Sequence, residues 1–318
     1  MTKRPIAVQL YTADLKEAWD EFIGNCKNSH FFFRRDYMEY HGDRFADFSV
    51  VIRDVSEKLI AVMPANKDGE AVYSHQGLTF GGILCGEKMK TELMLDIFEA
   101  LMRFLKEQKV KSLIYKPLPY VYHSKAAEED RYALFLSNAS LVRREVSSVV
   151  HLGRPIRYSK GRKWAVNKAK KASLQVVQST DFRKFWKVLT EVLLEHHEAE
   201  PVHSVQEIER LANLFPQNIK LFCVQKGADI IAGTVIYENE EIAHTQYIAS
   251  SAIGKDVCAL DFLIDYLLKE VYSGMKYFDF GISNEDAGRS LNTGLISQKE
   301  GFGAFPIVHD MYELQITS

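Results

Sequence analysis

Two stretches about half a chain apart carry apolar residues at helical spacing. "DLKEAWDEFI" places Trp19 five residues after Asp14, and "DFRKFWKVLT" places Trp186 five residues after Asp181. Apolar residues at intervals of three and four line one face of an α-helix. The pattern predicts an amphipathic helix near the start of each half of the chain.

Alternating, strand-like segments follow both helices in the same order. "KLIAVMPAN" and "DIIAGTVIY" each come after a polar stretch, which predicts a hairpin, and "EAVYSHQG" and "EIAHTQYI" follow as strands; both pairs stand 171 residues apart. An amphipathic helix and a last strand complete each half, "TELMLDIFEALMRFLKEQK" into "VKSLIYKP" and "CALDFLIDYLLKEVYSG" into "MKYFDFGIS". The ordered set predicts a tandem duplication of an α/β unit, with domains at residues 1–150 and 151–318. Chance similarity between two α/β halves is the alternative.

The segment "GLISQKEGFGA", residues 294–304, breaks this regularity. Its three glycines interrupt both helical and strand spacing around Lys299. The pattern therefore predicts an irregular segment rather than a helix or a regular strand.

Length and composition fit an ordinary two-domain protein. The chain has 318 residues, of which 47% are hydrophobic and 26% charged. The first thirty residues lack the apolar core of a signal peptide, and no later stretch approaches the roughly 20 apolar residues that cross a bilayer. We therefore expect a cytoplasmic protein. Four widely spaced cysteines without a CxxC pair predict reduced thiols and neither a zinc ribbon nor a dithiol redox site.

One basic block stands out from a net charge of −2. Residues 157–171, "RYSKGRKWAVNKAKK", contain seven basic and no acidic side chains, and the interleaved apolar residues favour an ordered helix. Three interpretations stay open. Arg162, Lys163 and their neighbours contact the phosphates of tRNA or of an anionic acceptor; they meet a membrane surface that bears a lipid-linked acceptor; or they form a solvated linker.

The order helix, hairpin, strand, glycine loop, helix, strand resembles the acyltransferase fold of the GNAT superfamily. Two such units in tandem, with the basic block, "PVHS" at 201–204 and "FDFGIS…KEGFG" at 278–303, resemble the FemABX-type transferases and their acetyltransferase-like relatives. The resemblance implies an α/β fold of two tandem GNAT-like domains with mixed, mainly antiparallel sheets. It also implies transfer of an acyl or aminoacyl group to an amine acceptor, such as a cell-wall or lipid-linked precursor, from acyl-coenzyme A or aminoacyl-tRNA.

The donor loop of the resemblance falls at "QYIASSAIGKDVCALDFL", residues 246–263. A helix N-terminus binds anions, so Gln246, Ser251, Gly254 and Lys255 become candidate donor-binding residues. The usual coenzyme A loop is Gln/Arg-x-x-Gly-x-Gly/Ala, whereas this chain has Ser251 first and Asp256 last. An aspartate there would repel a pyrophosphate. Two alternatives follow: an aminoacyl-tRNA donor, or a non-catalytic protein that binds an anionic ligand.

Acyl transfer to an amine requires a neutral nucleophile and a stabilised oxyanion. The resemblance implies the oxyanion role for Lys299, in the late K-x-G-F segment, and the alternative is a surface lysine in a turn. Asp279 alternates with Phe278 and Phe280 in "YFDFGIS", so it is expected to face away from the core, towards a cleft between the halves. There it would act as a general base or as the partner of a basic side chain.

Tyr247 is the second candidate for proton transfer. Strict strand alternation predicts that His244 and Gln246 share one face and that Tyr247 lies on the other. Packing within the sheet is the alternative for each of them.

The first half carries its own glycine loop, "SHQGLTFGGILCG" at residues 74–86. It resembles the S-x-x-G-x-T-x-G-G stretch that lies towards the acceptor in FemABX-like folds. Candidate residues for holding an anionic acceptor are Arg34, Arg35, His75 and, from the second half, His203. A solvated helix face is the alternative for the arginines.

A histidine-rich stretch, "EHHEAEPVHS", offers side chains that bind metals elsewhere. His196 and His197 are adjacent and so point around a helix rather than to one face, and no HExxH spacing is present. We therefore expect no metal site there, with Glu195, Glu198, Glu200 and His203 as part of a substrate-contacting loop or a plain solvated turn.

Overall fold

The protein is described by a computed structural model that covers residues 5–197 and 200–316, without the side chains of residues 196 and 197. The chain divides into two compact units, Met1–Glu145 with Val308–Ser318, and Val146–Ile307. The sequence placed the division at residue 150 and gave the whole C-terminus to the second domain. The last segment lies outside the repeated pattern, so similarity between the halves carried no information about its pairing.

Ten α-helices form in the described residues. They are α1 (Lys16–Gly24), α2 (Arg35–Met38), α3 (Thr91–Glu107), α4 (Glu129–Leu136), α5 (Lys160–Ala169), α6 (Phe182–His197), α7 (Val205–Leu214), α8 (Ala252–Asp256), α9 (Ala259–Tyr266) and α10 (Thr293–Glu300). A π-helical turn, Leu267–Val271, continues α9.

Seventeen strands accompany them in the same part of the chain. They are β1 (Ala7–Leu10), β2 (Ala46–Asp47), β3 (Val50–Arg53), β4 (Leu59–Met63), β5 (Asn66–Asp68), β6 (Ala71–Tyr73), β7 (Leu84–Cys85), β8 (Ser112–Tyr115), β9 (Ser140–His151), β10 (Gln175–Ser179), β11 (Ile219–Lys226), β12 (Asp229–Glu238), β13 (Ile242–Ser250), β14 (Tyr277–Ile282), β15 (Asn284–Glu285), β16 (Ser290–Leu291) and β17 (Phe305–Gln315).

The first unit builds its core around α3. Its strands form two groups, in the orders β1-β3-β4-β7 and β17-β8-β6-β5-β2, and β6 pairs in parallel with β8. The apolar face of α3, including Met94, Ile97 and Leu101, is fully buried against these strands. Trp19 of α1 is also fully buried, and its indole N–H donates to the Phe33 carbonyl at 2.7 Å.

In the second unit, helices cover both faces of the strands that run in the order β10-β11-β12-β13-β14-β9. Ala232 of β12 shares a buried cluster with Ala259 and Leu263 of α9. The next residue, Gly233, lies against Phe185 of α6, with which an added Cβ would collide at 2.6 Å. Because neighbouring strand residues face opposite ways, α9 and α6 cover opposite faces.

Both units repeat one arrangement. In the first, the hairpin β3-β4 precedes β6, α3 and the parallel partner β8; in the second, the hairpin β11-β12 precedes β13, α9 and the parallel partner β14. A parallel pair needs a crossover, which the helix supplies in each case. The predicted tandem α/β arrangement is confirmed.

The glycine-rich segment around Lys299 corrects the sequence prediction, because residues 293–300 form the regular helix α10. The Asn292 side chain caps it by accepting from the Leu295 N–H at 2.9 Å. Gly294 lies in the first turn, Gly301 follows the last, and Gly303 takes a positive φ of 82°. The glycines bound the helix rather than break it.

Asp130 is a buried carboxyl in the first unit. It accepts a hydrogen bond from the Tyr115 hydroxyl at 2.9 Å. Burial raises the pKa of Asp130 from 3.8 to about 6. An acid whose pKa is raised on folding stabilises the fold fully below its unfolded pKa, and this contribution is lost as the pH rises through the folded value.

We expect Asp130→Asn, which resembles the protonated acid, to gain stability relative to wild type as the pH rises from about 4 to about 7. A pKa difference of this size corresponds to at most about 3 kcal/mol. Urea unfolding of the full chain at several pH values measures the difference, with the exposed Asp68→Asn as control. A stability difference between wild type and Asp130→Asn that stays constant with pH would contradict the role of burial.

Candidate functional site

The sheet of the second unit opens between β13 and β14. The two strands pair in parallel only from Ile242↔Tyr277 to His244↔Asp279. Beyond that pair β13 continues along β12, with a bulge at Gln246, and β14 bulges against β9 between Asp279 and Ile282. The two irregularities part the strands and leave an opening in the sheet.

A cavity of about 540 Å³ lies at this opening. Its wall is mainly apolar, with contributions from Ile248 of β13, Phe280 of β14 and Leu295 of α10. Polar atoms are few and come from different elements: Thr245, Ser250, Lys255, Cys258, Asp261, Gln298 and Lys299. An apolar pocket with a small number of convergent polar groups is the usual form of a small-molecule site.

Lys299 is the buried cation of the cavity wall. Its side chain is carried by α10 and is 8% exposed. The ammonium donates to the carbonyl of Gly281 at 2.9 Å and to that of Ile282 at 2.6 Å, at the bulge of β14. Burial lowers the pKa of Lys299 to about 8, and Asp279 partly opposes this shift. The alternative of an exposed surface lysine is therefore wrong.

Asp279 lies beneath the cavity wall. It is fully buried inside the second unit, contrary to the expectation that it faces a cleft. One carboxylate oxygen accepts from the Ser147 hydroxyl at 2.5 Å and from the Gly281 N–H at 2.8 Å. The other lies 3.0 Å from His244 Nδ1. The sequence analysis considered His244 only together with Gln246 and Tyr247, and it did not consider Ser147. Only the pairing of β13 with β14 and of β14 with β9 brings His244 and Ser147 to Asp279.

The bulge at Gln246 also overturns the predicted facing of β13. His244 pairs with Tyr237 and Tyr247 with Val235, so the two lie on the same face rather than on opposite ones. Gln246 is the extra residue. A bulge adds one residue to a strand and reverses the alternation that follows.

Tyr247 contacts a predicted acceptor residue instead of the cavity. Its hydroxyl lies 2.5 Å from His203 Nδ1 and accepts from the His203 N–H at 3.2 Å, while its ring packs against Trp186 of α6. Burial raises the pKa of Tyr247 to about 12. At neutral pH the hydroxyl therefore keeps its proton, and the pair forms a packed cluster on the α6 face.

The predicted donor loop turns into the short helix α8. The Ser251 hydroxyl caps this helix by accepting from the Gly254 N–H at 3.2 Å, and it donates to the Ile231 carbonyl at 3.0 Å. Gly254 packs against β12, where an added Cβ would lie 2.3 Å from the Ile231 oxygen. Packing of α8 on β12 therefore accounts for the glycine. Gly254 and the exposed Lys255 both line the cavity.

The basic block forms the ordered helix α5, as predicted. Arg162 binds Asp261 of the cavity wall, and its guanidinium lies 5.3 Å from the ring centre of Phe302. Ala165, Val166 and Ala169 are buried. The opposite face carries the exposed side chains of Lys160, Lys163, Trp164 and Lys168, and the exposed Lys171 follows the end of the helix; we call these five residues the α5 ridge. Trp164 is 63% exposed, beneath the Lys168 ammonium.

Comparison with solved structures identifies the fold. FemX superposes with a TM-score of 0.68 at 10% identity, covering 97% of this chain and 97% of that chain. L-PGS from Bacillus licheniformis gives 0.58 at 13% identity over 96% and 92%, and a tandem GNAT protein from the clavulanic acid biosynthesis pathway gives 0.51 at 10% identity over 99% and 99%. The chain has the tandem GNAT fold of FemX. No protein-family model and no curated protein matches the sequence.

In the first GNAT unit, two of the candidate acceptor residues are buried and already contact other side chains of the unit. Arg35 is buried, binds Glu39 and Asp47, and stacks on the ring of Tyr11 at 3.8 Å. His75 is buried against His41, and burial lowers its pKa to about 3, so it carries no charge for an anion at neutral pH. Neither supports the predicted role. Arg34 is exposed.

Metal-binding clusters and membrane-spanning helices are both absent from the described residues of the chain. No group of three His, Cys, Asp or Glu side chains among them is placed to hold a metal ion. No helix among them is long and apolar enough to cross a membrane. The side chains of His196 and His197, and residue Glu198, lie outside the described part of the structure.

We expect Gly254→Ala to lower the free energy of unfolding by about 1–3 kcal/mol, because the new methyl group collides with the β12 backbone. Thermal unfolding of the full chain measures the loss. Gly274→Ala is the matched control, because nothing lies within 4 Å of its added Cβ, and it should change stability by less than about 0.5 kcal/mol. Equal effects of the two substitutions would argue against this packing role of Gly254.

Proposed function

We propose that the second unit transfers an acyl or aminoacyl group from a phosphate-bearing donor to an amine. The acyl end of the donor enters the cavity between β13 and β14, and Lys299 stabilises the oxyanion of the tetrahedral intermediate. The observation that carries the proposal is the buried Lys299 ammonium, fixed by two carbonyls at the wall of an open cavity.

The position of Lys299 suits an oxyanion. A fixed positive charge in a low-dielectric site stabilises developing negative charge far more than the same charge in water. Two of the three N–H groups of the ammonium are held by carbonyl oxygens, which orients the side chain before substrate arrives. The third N–H is the donor available to the reacting carbonyl.

The first unit lacks the corresponding opening in its described residues. Beyond its parallel pair Tyr73↔Ile114, the chain itself fills the gap. The Ser74 N–H donates to the Ile114 carbonyl. The Gly81 N–H donates to the Lys116 carbonyl at 2.8 Å, and Gly81 forms a parallel β-bridge with Pro117. An added Cβ at Gly81 would lie 1.8 Å from the Ser74 oxygen. This close packing supports a single donor site, in the second unit.

The α5 ridge favours aminoacyl-tRNA as the donor. Its four exposed lysines would neutralise several backbone phosphates, and Trp164 offers a surface on which a base can stack. Through Arg162 and Asp261 the helix is joined to the cavity wall. The donor loop carries Ser251 and Asp256 where a coenzyme A loop has Gln/Arg and Gly/Ala, which weakens the case for that donor. The amine acceptor would be a cell-wall or lipid-linked precursor.

We expect Lys299→Ala to lower turnover by about 100- to 1,000-fold with little loss of stability, because it removes the oxyanion charge. Wild-type turnover should fall as the pH rises through about 8, where Lys299 loses its charge. The measurement is release of the acyl group to hydroxylamine from acetyl-coenzyme A or from aminoacyl-tRNA. The exposed Lys226→Ala is the control, and unchanged turnover in Lys299→Ala would remove the proposed role.

Replacing Lys160, Lys163, Lys168 and Lys171 together by Gln should weaken retention of aminoacyl-tRNA at least about tenfold and flatten its dependence on salt. The matched control replaces four exposed lysines of the first unit, Lys88, Lys90, Lys106 and Lys109. Cys258 lines the cavity and is the one cysteine of the four that is not buried, so protection from a maleimide reports donor occupancy.

Two results would redirect the donor assignment. In the first, acetyl-coenzyme A binds with micromolar affinity, protects Cys258 from the maleimide, and binds equally well when the lysines of the α5 ridge are replaced. That result would identify coenzyme A as the donor carrier. Failure of both donors to bind or react would contradict acyl transfer and favour the alternative, a GNAT-fold protein that holds an anionic ligand without chemistry.

A further inference from the structure

Three polar side chains from three elements converge on Gly281. Its N–H donates to Asp279, its carbonyl accepts from Lys299, and its Cα faces the ring of His244. An added Cβ at Gly281 would lie 3.2 Å from His244 Cε1, and the residue has a positive φ of 76°. A glycine is therefore required here by both backbone conformation and the approach of the imidazole.

His244 and Asp279 form a defined pair at the base of the opening. They are partners in the last register of the β13–β14 ladder, and His244 Nδ1 lies 3.0 Å from Asp279 Oδ2. The Ser147 hydroxyl and the Gly281 N–H donate to the other carboxylate oxygen. Because a carboxylate oxygen accepts hydrogen bonds, Nδ1–H is the donor of this pair, and Nε2 is the ring nitrogen that points away from Asp279.

The two side chains of the pair are buried to different extents. The Asp279 side chain is fully buried, whereas that of His244 is 13% exposed. A proton taken up by His244 therefore has a way to solvent, while the carboxylate that orients the ring is shielded from it. A base within hydrogen-bond reach of a group that fixes its orientation is the recurring arrangement of enzymatic proton transfer.

Two of the residues considered for the reaction, Lys299 and Tyr247, are poorly suited to accept a proton. Lys299 is held as an ammonium by two carbonyls, and the Tyr247 hydroxyl keeps its proton at neutral pH and contacts His203. An amine acceptor arrives as an ammonium and cannot attack until it has lost a proton.

We propose that His244 is the general base that deprotonates the amine acceptor and that Asp279 is its positioning residue; this inference rests on the acyl transfer proposed above. Nε2 takes one proton from the ammonium and passes it to solvent. The neutral amine then attacks the acyl carbon, and the oxyanion forms beside Lys299. Collapse breaks the bond to the leaving oxygen or sulfur, which receives the second proton of the attacking nitrogen. One amide, one protonated leaving group and one released proton result.

The test compares two nucleophiles with different needs for a base. We expect His244→Gln to lower kcat with an alkylamine acceptor such as glycinamide by at least about 100-fold at neutral pH. With hydroxylamine, which is already neutral, the loss should be less than about threefold. His151→Gln, in the neighbouring strand β9, is the control and should leave both rates within about twofold.

A purely structural role of His244 would lower both rates equally, and that result would overturn the proposal. Asp279→Asn should show the same selective loss as His244→Gln, since the ring then lacks the carboxylate that orients it. Circular dichroism on each full-length variant confirms that it is folded before the rates are compared.

A second measurement is independent of activity. Nitrogen-15 NMR of histidine-labelled protein reports which ring nitrogen of neutral His244 carries the proton. A proton on Nδ1 that is lost or displaced in Asp279→Asn supports the pair, and a proton on Nε2 in the wild type overturns it. If no nucleophile reacts with wild type, the transferase assignment fails, and the NMR result alone decides whether the pair exists.

Discussion

The site depends on a short break in one backbone ladder. β13 and β14 pair over three residues and then separate, because each strand carries a bulge at the same level of the sheet. The break opens the cavity, turns the Gly281 and Ile282 carbonyls towards Lys299, and leaves His244 and Asp279 side by side at the last paired position. Regular pairing would have closed the cavity and removed the acceptors that hold the lysine.

The two units show how one topology serves two purposes. Both place a parallel strand pair around a crossover helix, and both have glycines beyond the pair. In the first unit Gly81 lets residues 74–81 pack back onto the neighbouring strand, and the gap is filled by the chain. In the second unit Gly281 instead admits an imidazole next to a carbonyl that binds an ammonium. Glycine therefore allows the chain to fill the gap in the first unit, and it allows the His244 ring to approach the backbone in the second.

Charge is distributed across the second unit in a way that separates binding from chemistry. The exposed cations of the α5 ridge stay in water, where they act on a polyanion at long range and with strong dependence on salt. Lys299 is buried, where a single charge acts strongly on one developing oxyanion. Asp261, joined to Arg162, links the helix of the ridge to the cavity wall.

Periodic patterns in the sequence determined the element order, the duplication and the basic helix, since these depend on local hydrophobic spacing. The resemblance pointed to Lys299. The residue spacing did not predict helix α10, because the glycines were taken as helix breakers although they stand in its first turn and directly after its last. Only the tertiary structure decided the pairing of His244 with Asp279, the shared face of His244 and Tyr247, and the packing role of Gly254. It also decided that Arg35 and His75 are buried against partners within the first unit. Each of these follows from strand register or from contacts between residues distant in the chain, and a local sequence pattern predicts none of them.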